Sequence, residues 1–451
     1  MQITIVGCGK VGTALARKLI DEGHNITVID TDTERVRYIT EELDVMGVVG
    51  NGASISTLSE AGIENADVFI AVTGSDEFNL LCCLFAKKTG NCQTVARVRN
   101  PVYYNEIQFA KEQLGISAII NPELATAREI SRLLRFPAAI QIDAFADGRV
   151  NLIKLRLTED MQLNGLSLKE IPAIYGKNVL ICAVEREKDV IIPSGEFILH
   201  AGDIITFIAA VEDASAFFEK LHLRHRPVKN AFIVGGGMIG YYLSKDLLSH
   251  HIPVRIVEKN HARCEELAEL LPHATILCGD GTDRQLLMEE GLSGAEAFVP
   301  LTNLDEENIL LTLFAKKHSN AKLVTKVNRL EFDDILDSLD IGSVIYPKYI
   351  TCDFILQHVR AMQNQFGNKI KTLYQILDDR LEAIEFTVEN PSVATGTTLS
   401  ELKLKPNQLV CCITRGDRII IPNGSDTIQV GDSVIVVTTE QGLHDIQDIV
   451  E

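Results

Sequence analysis

The stretch MQITIVGCGKVGTALARKLIDEGHNITVIDTD, residues 1–32, contains the glycine cluster GCGKVG at residues 7–12. The residues before the cluster form an apolar, β-branched run that is typical of a buried parallel strand, and apolar residues after it recur at helical spacing. A second short apolar run ends at Asp30, eighteen residues after Gly12. A strand, a glycine turn, a helix and an acid at this spacing predict a Rossmann-like dinucleotide-binding unit.

Each glycine of the cluster has its own expected role. In a Rossmann unit Gly7 makes the turn, Gly9 lets backbone N–H groups approach a pyrophosphate, and Gly12 lets the helix pack closely on the strand. The helix N-terminus faces the phosphates, and the carboxylate of Asp30 binds the ribose hydroxyls. Because an acid at this position repels a 2′-phosphate, NAD(H) or an adenosine nucleotide is expected in preference to NADP.

The second half of the chain repeats the first. Residues 231–260, AFIVGGGMIGYYLSKDLLSHHIPVRIVEKN, place three glycines and the acid Glu258 at an offset of 228 positions from the opening stretch. Later matches keep an offset of 229 and pair GNGAS with GDGTD and AVTGSDEFN with PLTNLDEEN. Such internal similarity indicates two copies of the nucleotide-binding unit.

A second kind of segment is repeated as well. Residues 178–209 and 408–439 match each other and alternate short β runs with Gly, Pro and Asp turns, which is typical of small β-rich domains. We therefore predict an α/β protein with two tandem Rossmann-like, doubly wound parallel sheets, each followed by a connecting helix and a small β-rich α+β module. The predicted Rossmann-like domains are 1–140 and 230–370, and the predicted β-rich modules are 141–225 and 371–451.

Helical segments are expected between each Rossmann-like domain and its β-rich module, at residues 105–135 and 330–365. In the first segment Pro122 marks a helix start, and the helix carries an apolar face. That face suits either ordinary core packing or a contact between subunits. The segment RHRPVK around His225 is expected to link the two halves.

Composition limits the partners of the chain. The formal net charge of −19 disfavours nucleic acid and acidic membrane surfaces, which proteins bind mainly through Lys and Arg. No apolar stretch reaches the roughly 20 residues of a membrane span, and no signal-peptide pattern is present, so a soluble cytoplasmic protein is expected. The ten cysteines show no C-x-x-C pair and no zinc-type spacing, and most are expected to be buried thiols in a reducing compartment.

The candidate nucleotide sites draw on corresponding positions of the two halves. In each half a polar residue follows the third strand, a threonine follows the fourth, and a basic residue that suits phosphate ends the fifth. The candidate cofactor-binding residues of the first half are Gly7, Cys8, Gly9, Lys10, Val11, Gly12, Asp30, Asn51, Thr73, Gly74 and Arg97. Those of the second half are Gly235, Gly236, Gly237, Met238, Ile239, Gly240, Glu258, Asp280, Thr302 and Lys326.

The two halves differ in charge, and neither shows catalytic residues. Lys10 of the first loop is replaced by Met238 in the second, so the first site is expected to favour highly charged phosphates more. No catalytic acid or base and no hydrolase, metalloprotease or Walker-type motif accompanies the glycine loops. We expect neither catalysis nor a metal site, although an NAD-dependent oxidoreductase and a ligand-free scaffold remain alternatives. Cation binding at Asp76, Glu77 or Asp305 stays open.

The doubled order of motifs resembles the family of regulators of potassium conductance, with tandem RCK or KTN domains. The resemblance covers essentially the whole chain. It is carried by GCGKVG with VID, GNGAS, AVTGSDEFN and ARVRNP in the first half, and by GGGMIG with VEKN, GDGTD, PLTNLDEEN and TKVNR in the second.

The resemblance implies a cytoplasmic regulatory subunit that associates peripherally with the inner face of the membrane. It implies a homo-oligomeric ring, a dimer or a tetramer, beneath a potassium-translocating integral membrane subunit. NAD+ or NADH, with ATP or ADP as alternatives, is the implied ligand, and its binding gates potassium transport through a conformational change. Asn51 stands where the family pattern has an acid, and Met238 lacks a charge, so the nucleotide of each half stays open.

Overall fold

The structure, a computed structural model, describes residues 1–187, 189–223, 227–328, 336, 339, 341–364, 370–376, 380–440, 443 and 445–451. The chain forms two compact units. The first unit comprises Met1–Ser131 and Lys229–Val359, and the second comprises Arg132–Val228 and Arg360–Glu451. Corresponding domains of the two halves therefore share a unit. The predicted linker around His225 and the beginning of the predicted helical segment at 330–365 lie outside the described residues.

The elements of the two halves follow the same order. The strands of the first half are β1 (Gln2–Val6), β2 (Asn25–Asp30), β3 (Met46–Val49), β4 (Val68–Ala71), β5 (Gln93–Arg97), β6 (Ala118–Ile120), β7 (Gln141–Phe145), β8 (Val150–Arg156), β9 (Val179–Arg186), β10 (Asp189–Ile191) and β11 (Ile204–Ala210). Its helices are α1 (Lys10–Asp21), α2 (Thr33–Glu42), α3 (Ile55–Glu60), α4 (Asp76–Thr89), α5 (Pro101–Leu114), α6 (Pro122–Arg135), α7 (Ile171–Tyr175) and α8 (Val211–Lys220).

The second half repeats these elements with small changes. Its strands are β12 (Ala231–Val234), β13 (Val254–Glu258), β14 (Thr275–Cys278), β15 (Ala297–Pro300), β16 (Lys322–Lys326), β17 (Ser343–Ile345), β18 (Ile370–Ile376), β19 (Leu381–Thr387), β20 (Gln408–Arg415), β21 (Arg418–Ile420) and β22 (Ser433–Thr438). Its described helices are α9 (Met238–Ser249), α10 (His261–Leu270), α11 (Arg284–Glu289), α12 (Asp305–His318) and α13 (Pro347–Asn364).

The first unit contains two six-stranded parallel sheets, which confirms the predicted fold class. Their strand orders are β3-β2-β1-β4-β5-β6 and β14-β13-β12-β15-β16-β17, the order of a doubly wound Rossmann fold. The order reverses between β1 and β4, and again between β12 and β15. In such sheets ligands bind at that reversal, outside the carboxyl ends of the strands. Both glycine loops lie there.

One sequence prediction was wrong in detail. Residues 105–135 and 330–365 were expected to form helical segments, but the three-residue strand β6 separates α5 from α6, and the three-residue strand β17 lies within the second segment. All three residues of β6 are buried. Periodicity does not distinguish so short an apolar run from part of a helix, and the strand is recognised only when it pairs with β5.

The two Rossmann halves contact each other within the first unit. The Nδ2 of Asn121, just before α6, donates to Tyr242 Oη of α9 at 2.8 Å, and that hydroxyl donates to the Arg99 carbonyl at 2.9 Å. A second contact joins Lys18, on α1 of the first half, to Asp353, on α13 of the second half, at 2.8 Å. The helix that begins at Pro122 therefore contacts the other half of its own chain.

The second unit contains two five-stranded antiparallel sheets with one shared core. Their strand orders are β10-β9-β11-β8-β7 and β18-β19-β22-β20-β21. The shared apolar cluster draws on both halves and includes Phe145, Leu152, Cys182, Ile208, Leu381, Cys411, Ile435 and Val437. Burial of these side chains supplies the main driving force for association of the two sheets.

The repeated Gly-Asp turns of the β-rich modules hold an ion pair in which the carboxylate is buried and the arginine is partly exposed. Asp203 accepts two hydrogen bonds from the Arg186 guanidinium, each 2.8 Å long, and one from the His200 N–H at 2.8 Å. Arg415 and Asp432 repeat the two-bond arrangement in the second module, also at 2.8 Å. These residues join turn and sheet and are structural.

Asp203→Ala is expected to lower the free energy of unfolding of the second unit by about 2 kcal/mol, because three bonds are lost beside a partly exposed guanidinium. Burial acts to raise the pKa of Asp203, but the bonds from Arg186 and the His200 N–H outweigh burial and lower the pKa. The stabilisation is therefore present above about pH 4 and is lost as the pH falls through the folded-state pKa. Urea unfolding at neutral and acid pH measures both effects. Equal losses for the exposed control Asp189→Ala would contradict this role.

Candidate nucleotide sites

The glycine loops have the geometry of strand-to-helix turns. Gly7 has a φ of 106° and Gly235 a φ of 108°, in the left-handed region that favours glycine. A Cβ on Gly12 would lie 1.8 Å from the carbonyl oxygen of Gly7, so the helix packs directly on the turn. By contrast, a Cβ on Gly9 or Gly237 would meet no atom within 4 Å. The protein itself does not require glycine at these two positions, which face open space at the helix N-termini.

In each parallel sheet an acid binds the glycine loop. The acid is Asp30, the last residue of β2, in the first half and Glu258, the last residue of β13, in the second. Asp30 accepts a hydrogen bond from the Cys8 N–H at 2.7 Å and another from the Asp32 N–H at 3.0 Å. Glu258 accepts from the Gly236 N–H at 2.7 Å and from the Asn260 N–H at 2.8 Å. Each carboxylate is thus held beside its loop, where the ribose of a nucleotide on the helix N-terminus would lie.

The turns after the third strands differ between the halves. Asn51 is exposed, and its Oδ1 accepts from the Ala53 N–H at 2.8 Å. Asp280 accepts from Lys259 at 2.7 Å and from the Thr282 N–H and hydroxyl at 2.9 and 2.7 Å. The Lys259 ammonium and these Thr282 donors hold the pKa of Asp280 well below its usual value. Lysine thus neutralises the acid in the second half, whereas the first half has no charge at this position.

Two buried asparagines position the threonines, and the sequence analysis did not assign them a role. Asn79 accepts from the Thr73 N–H at 2.8 Å and the Thr73 hydroxyl at 2.7 Å, and it donates to the Arg97 carbonyl at 2.9 Å. Asn308 makes the same contacts with Thr302 and Lys326. The presence of asparagine at the same position in both repeats was the sequence signal that could have indicated this role. Each asparagine joins the carboxyl ends of two neighbouring strands of the sheet.

The basic residues at the ends of the fifth strands are placed differently. Arg97 pairs with Glu123 at 2.8 Å, so a phosphate would compete with this carboxylate. Lys326 is buried, and its Nζ is 3.4 Å from the Leu301 carbonyl. Burial lowers the pKa of Lys326, and Lys10 of the first half acts in the same direction, against attraction from Asp305 and Glu123. Lys326 is thus less suited than Arg97 to bind phosphate as a cation.

An arginine of the second half binds the second glycine loop. Arg263, on α10, donates from Nε to the Gly236 carbonyl at 2.8 Å, and its Nη2 lies 4.0 Å from Met238 Sδ. Arg263 also pairs with Glu266 at 2.6 Å, and the corresponding Arg35 of the first half pairs with Asp32 at 3.2 Å. Each arginine therefore has a carboxylate partner, and the two halves differ in the bond that Arg263 makes to its loop. The sequence did not predict the contact between Arg263 and Gly236, because it depends on the conformation of the long arginine side chain.

The acidic residues considered for cation binding are engaged by protein donors. Asp76 accepts from the Arg99 and Asn100 N–H groups, both at 2.8 Å. Asp305 accepts from the backbone and side chain of Asn328 at 3.0 and 2.9 Å. Among the residues that the structure describes, no group of three or more His, Cys, Asp or Glu side chains is arranged to hold a metal ion. In the same part of the chain, no helix combines the length and apolar character of a membrane span.

Comparisons with known proteins agree along the whole chain. The TrkA-N domain profile matches residues 3–122 and 231–347, and the TrkA-C domain profile matches residues 152–222 and 383–451. A Trk system potassium uptake protein TrkA homolog of Archaeoglobus fulgidus is 32% identical over 451 residues and is covered completely, as is this chain. The Trk system potassium uptake protein TrkA of Halomonas elongata is 33% identical, with 99% of this chain and 98% of that protein covered.

Solved structures agree with this result at the level of the fold. The GsuK channel bound to NAD is 20% identical, with a TM-score of 0.64, and the match covers 98% of this chain and 77% of that chain. The GsuK structure bound to ADP is 16% identical, with a TM-score of 0.52 over 81% of this chain. At these identities the likeness establishes a shared fold.

Proposed function

We propose that this chain, which belongs to the TrkA family of Trk system potassium uptake proteins, regulates potassium transport by binding nucleotides at its two glycine loops. Membership of this family makes the chain a potassium-transport regulator rather than an oxidoreductase. NAD(H) is the proposed ligand, with ATP or ADP as the alternative, and the candidate residues of the two halves form the two sites.

The observation that carries the proposal is the repeated loop-and-acid geometry. In both halves a carboxylate accepts a loop N–H at 2.7 Å, beside a glycine whose missing Cβ leaves open space. A pyrophosphate fits the open space at the helix N-terminus, and the carboxylate suits a ribose diol. The same carboxylate would repel a 2′-phosphate, which favours NAD(H) over NADP.

Regulation requires that the ligand bind two conformations with different affinity. The contact between the Rossmann halves supports such an effect, because Tyr242 of the second half binds Asn121 and the Arg99 carbonyl of the first. These residues lie close in sequence to Arg97 and Glu123, so a phosphate that competes with Glu123 for Arg97 would act next to this contact. Nucleotide binding in one half would then change affinity in the other, and the coupling would be reciprocal.

The assembly is part of the proposal. We propose a homo-oligomeric ring, a dimer or a tetramer, that docks from the cytoplasm on a Trk-type potassium-translocating membrane subunit. We also propose that the chain folds as four domains, with boundaries near residues 140, 225 and 370. The formal charge of −19 suits docking on a protein better than on an acidic lipid surface.

Asp30→Ala and Glu258→Ala are expected to weaken NADH binding in the first and second half, respectively, by about 10-fold to 100-fold, the effect of losing charge-assisted bonds to ribose. Calorimetric titration of the full-length chain with NADH, NAD+ and ATP measures this. Potassium flux into vesicles that hold a Trk-type membrane subunit and the added chain, with and without nucleotide, tests regulation.

Asp30→Asn is the matched control, because the amide oxygen can still accept the Cys8 N–H while the negative charge is lost. It should keep the loop in place and reduce the preference for NADH over NADPH. Wild-type protein that binds no nucleotide, or that oxidises NADH in the presence of metabolites, would contradict the proposal.

A further inference from the structure

Two cysteines flank the backbone of the proposed ribose-binding residue in the second half. Cys264 lies on α10, and its Sγ donates to the Glu258 carbonyl at 3.3 Å. Cys278 ends β14 and is the parallel register partner of Glu258. The same carbonyl also accepts the N–H of Gly279, the residue after Cys278, at 2.9 Å. Both cysteines therefore lie beside the Glu258 peptide, Cys264 through its thiol and Cys278 through strand pairing, at the adenosine end of the proposed site.

The two thiols differ in accessibility. Cys278 is exposed, whereas the other nine cysteines, Cys264 among them, are buried. Burial raises the pKa of Cys264 to about 12, and a hydrogen bond with Cys278 acts in the same direction. Cys264 is therefore protonated at neutral pH, and only the thiolate is a strong nucleophile. An oxidant would react first at Cys278.

The first half shows that the fold does not need these thiols. At the corresponding positions it carries Val36, which is buried, and Val49, which is exposed. Valine packs acceptably on the same helix and strand, so the cysteine pair is a feature of the second half alone. Its position beside Glu258 connects it with the ligand site.

We propose that Cys264 and Cys278 form a reversible disulfide in response to a hydroperoxide, and that this disulfide weakens nucleotide binding at the second site. In the first step the Cys278 thiolate attacks the peroxide oxygen and becomes a sulfenic acid, while the hydroxide of the cleaved O–O bond takes up a proton as water. In the second step Cys264 sulfur displaces hydroxide from the sulfenic sulfur, and the Cys264 proton leaves with that hydroxide as a second water. Two thiols and one hydrogen peroxide thus give one disulfide and two waters.

The disulfide would act on the site through the Glu258 peptide. Oxidation removes the S–H that Glu258 accepts and ties α10 to the end of β14, next to the turn that contains Asp280. The ribose carboxylate and that turn would both shift. This effect rests on the proposed nucleotide function, whereas formation of the disulfide does not. Disulfides of intracellular proteins are usually transient and redox-sensing, which suits a reversible bond here.

The test treats the reduced full-length protein with hydrogen peroxide, alkylates the remaining thiols and identifies the peptides by mass spectrometry. A linked Cys264–Cys278 peptide is expected, and dithiothreitol should remove it. NADH affinity at the second site, measured in Asp30→Ala protein, should fall about fivefold or more on oxidation, the effect of at least one lost hydrogen bond. Dithiothreitol should restore it.

The variant Cys264→Val with Cys278→Val copies the first half and is the matched control. It should fold, bind NADH and lose all sensitivity to peroxide. The buried pair Cys182 and Cys411 should stay alkylatable only after unfolding. Absence of the linked peptide, or a linked peptide with unchanged NADH affinity, would overturn the proposal. If the reduced protein binds no NADH, the proposed nucleotide function is contradicted instead. Detection of the linked peptide needs no ligand and therefore tests the disulfide separately.

Discussion

Gly12→Ala is expected to destabilise the first Rossmann domain by more than about 3 kcal/mol, whereas Gly9→Ala should change its stability by less than about 1 kcal/mol. The two glycines are three residues apart: Gly9 immediately precedes α1, and Gly12 lies in its first turn. They differ in what surrounds the position of a Cβ: the Gly7 carbonyl oxygen would be 1.8 Å from it at Gly12, but no atom lies within 4 Å at Gly9.

The cost at Gly12 is large because the clash involves backbone. Neither the turn at Gly7 nor α1 can rotate a side chain out of the way, so the helix must move from the strand it packs on. That movement would expose Leu15, Ala16 and Leu19, which are all buried on the inner face of α1. In the second half, Gly240→Ala is expected to lose less stability, because a Cβ there would lie 2.4 Å from the Gly235 carbonyl oxygen.

For ligand binding, in contrast, the direct effect is expected from Gly9→Ala. Gly9→Ala places a methyl group in the open space proposed for the pyrophosphate, so NADH affinity of the first site should fall about 10-fold or more in a protein that is still folded. Calorimetric melting of both variants together with NADH titration separates the two effects. A stable Gly12→Ala protein, or a Gly9→Ala protein with unchanged affinity at the first site, would contradict this account.

Asn79→Ala is expected to cost about 4 kcal/mol of stability, although the residue takes part in no proposed contact with a ligand. Its fully buried side chain satisfies the Thr73 N–H, the Thr73 hydroxyl and the Arg97 carbonyl. Alanine would leave these groups without their partner, and each unsatisfied buried group costs about 1–3 kcal/mol. The ends of β4 and β5 would then separate at the ligand edge of the sheet.

Hydrogen exchange of the β4 and β5 amides, combined with urea unfolding, localises this loss. The control is Asn51→Ala, since Asn51 is exposed and its side-chain amide makes one described backbone contact, to Ala53 at 2.8 Å. Its expected cost is below about 1 kcal/mol. Equal protection of β5 in both variants would show that the buried asparagine does not join the strands.

Much of this fold was predictable because its signals are local. The apolar runs that became β1 and β12, the glycine turns after them and the acids Asp30 and Glu258 lie within thirty residues of one another in each half. Their spacing alone predicts the sheet and the place of a ligand. The repeat strengthened the prediction, since two unrelated stretches would not keep an offset of 228 or 229 positions over several motifs.

Other features depended on contacts that sequence spacing does not encode. The strand β6 has three residues and is defined by its neighbour β5, and the bond between Asn121 and Tyr242 joins positions 121 residues apart. Arg263 donates a hydrogen bond to the second glycine loop, and Glu123 pairs with Arg97, the residue expected to bind phosphate. The sequence by itself determined the two glycine loops and the acids beside them, because periodicity, turn chemistry and residue spacing act over short distances. Only the tertiary structure decided which charges meet and which halves share a core, because these depend on the packing of segments far apart in the chain.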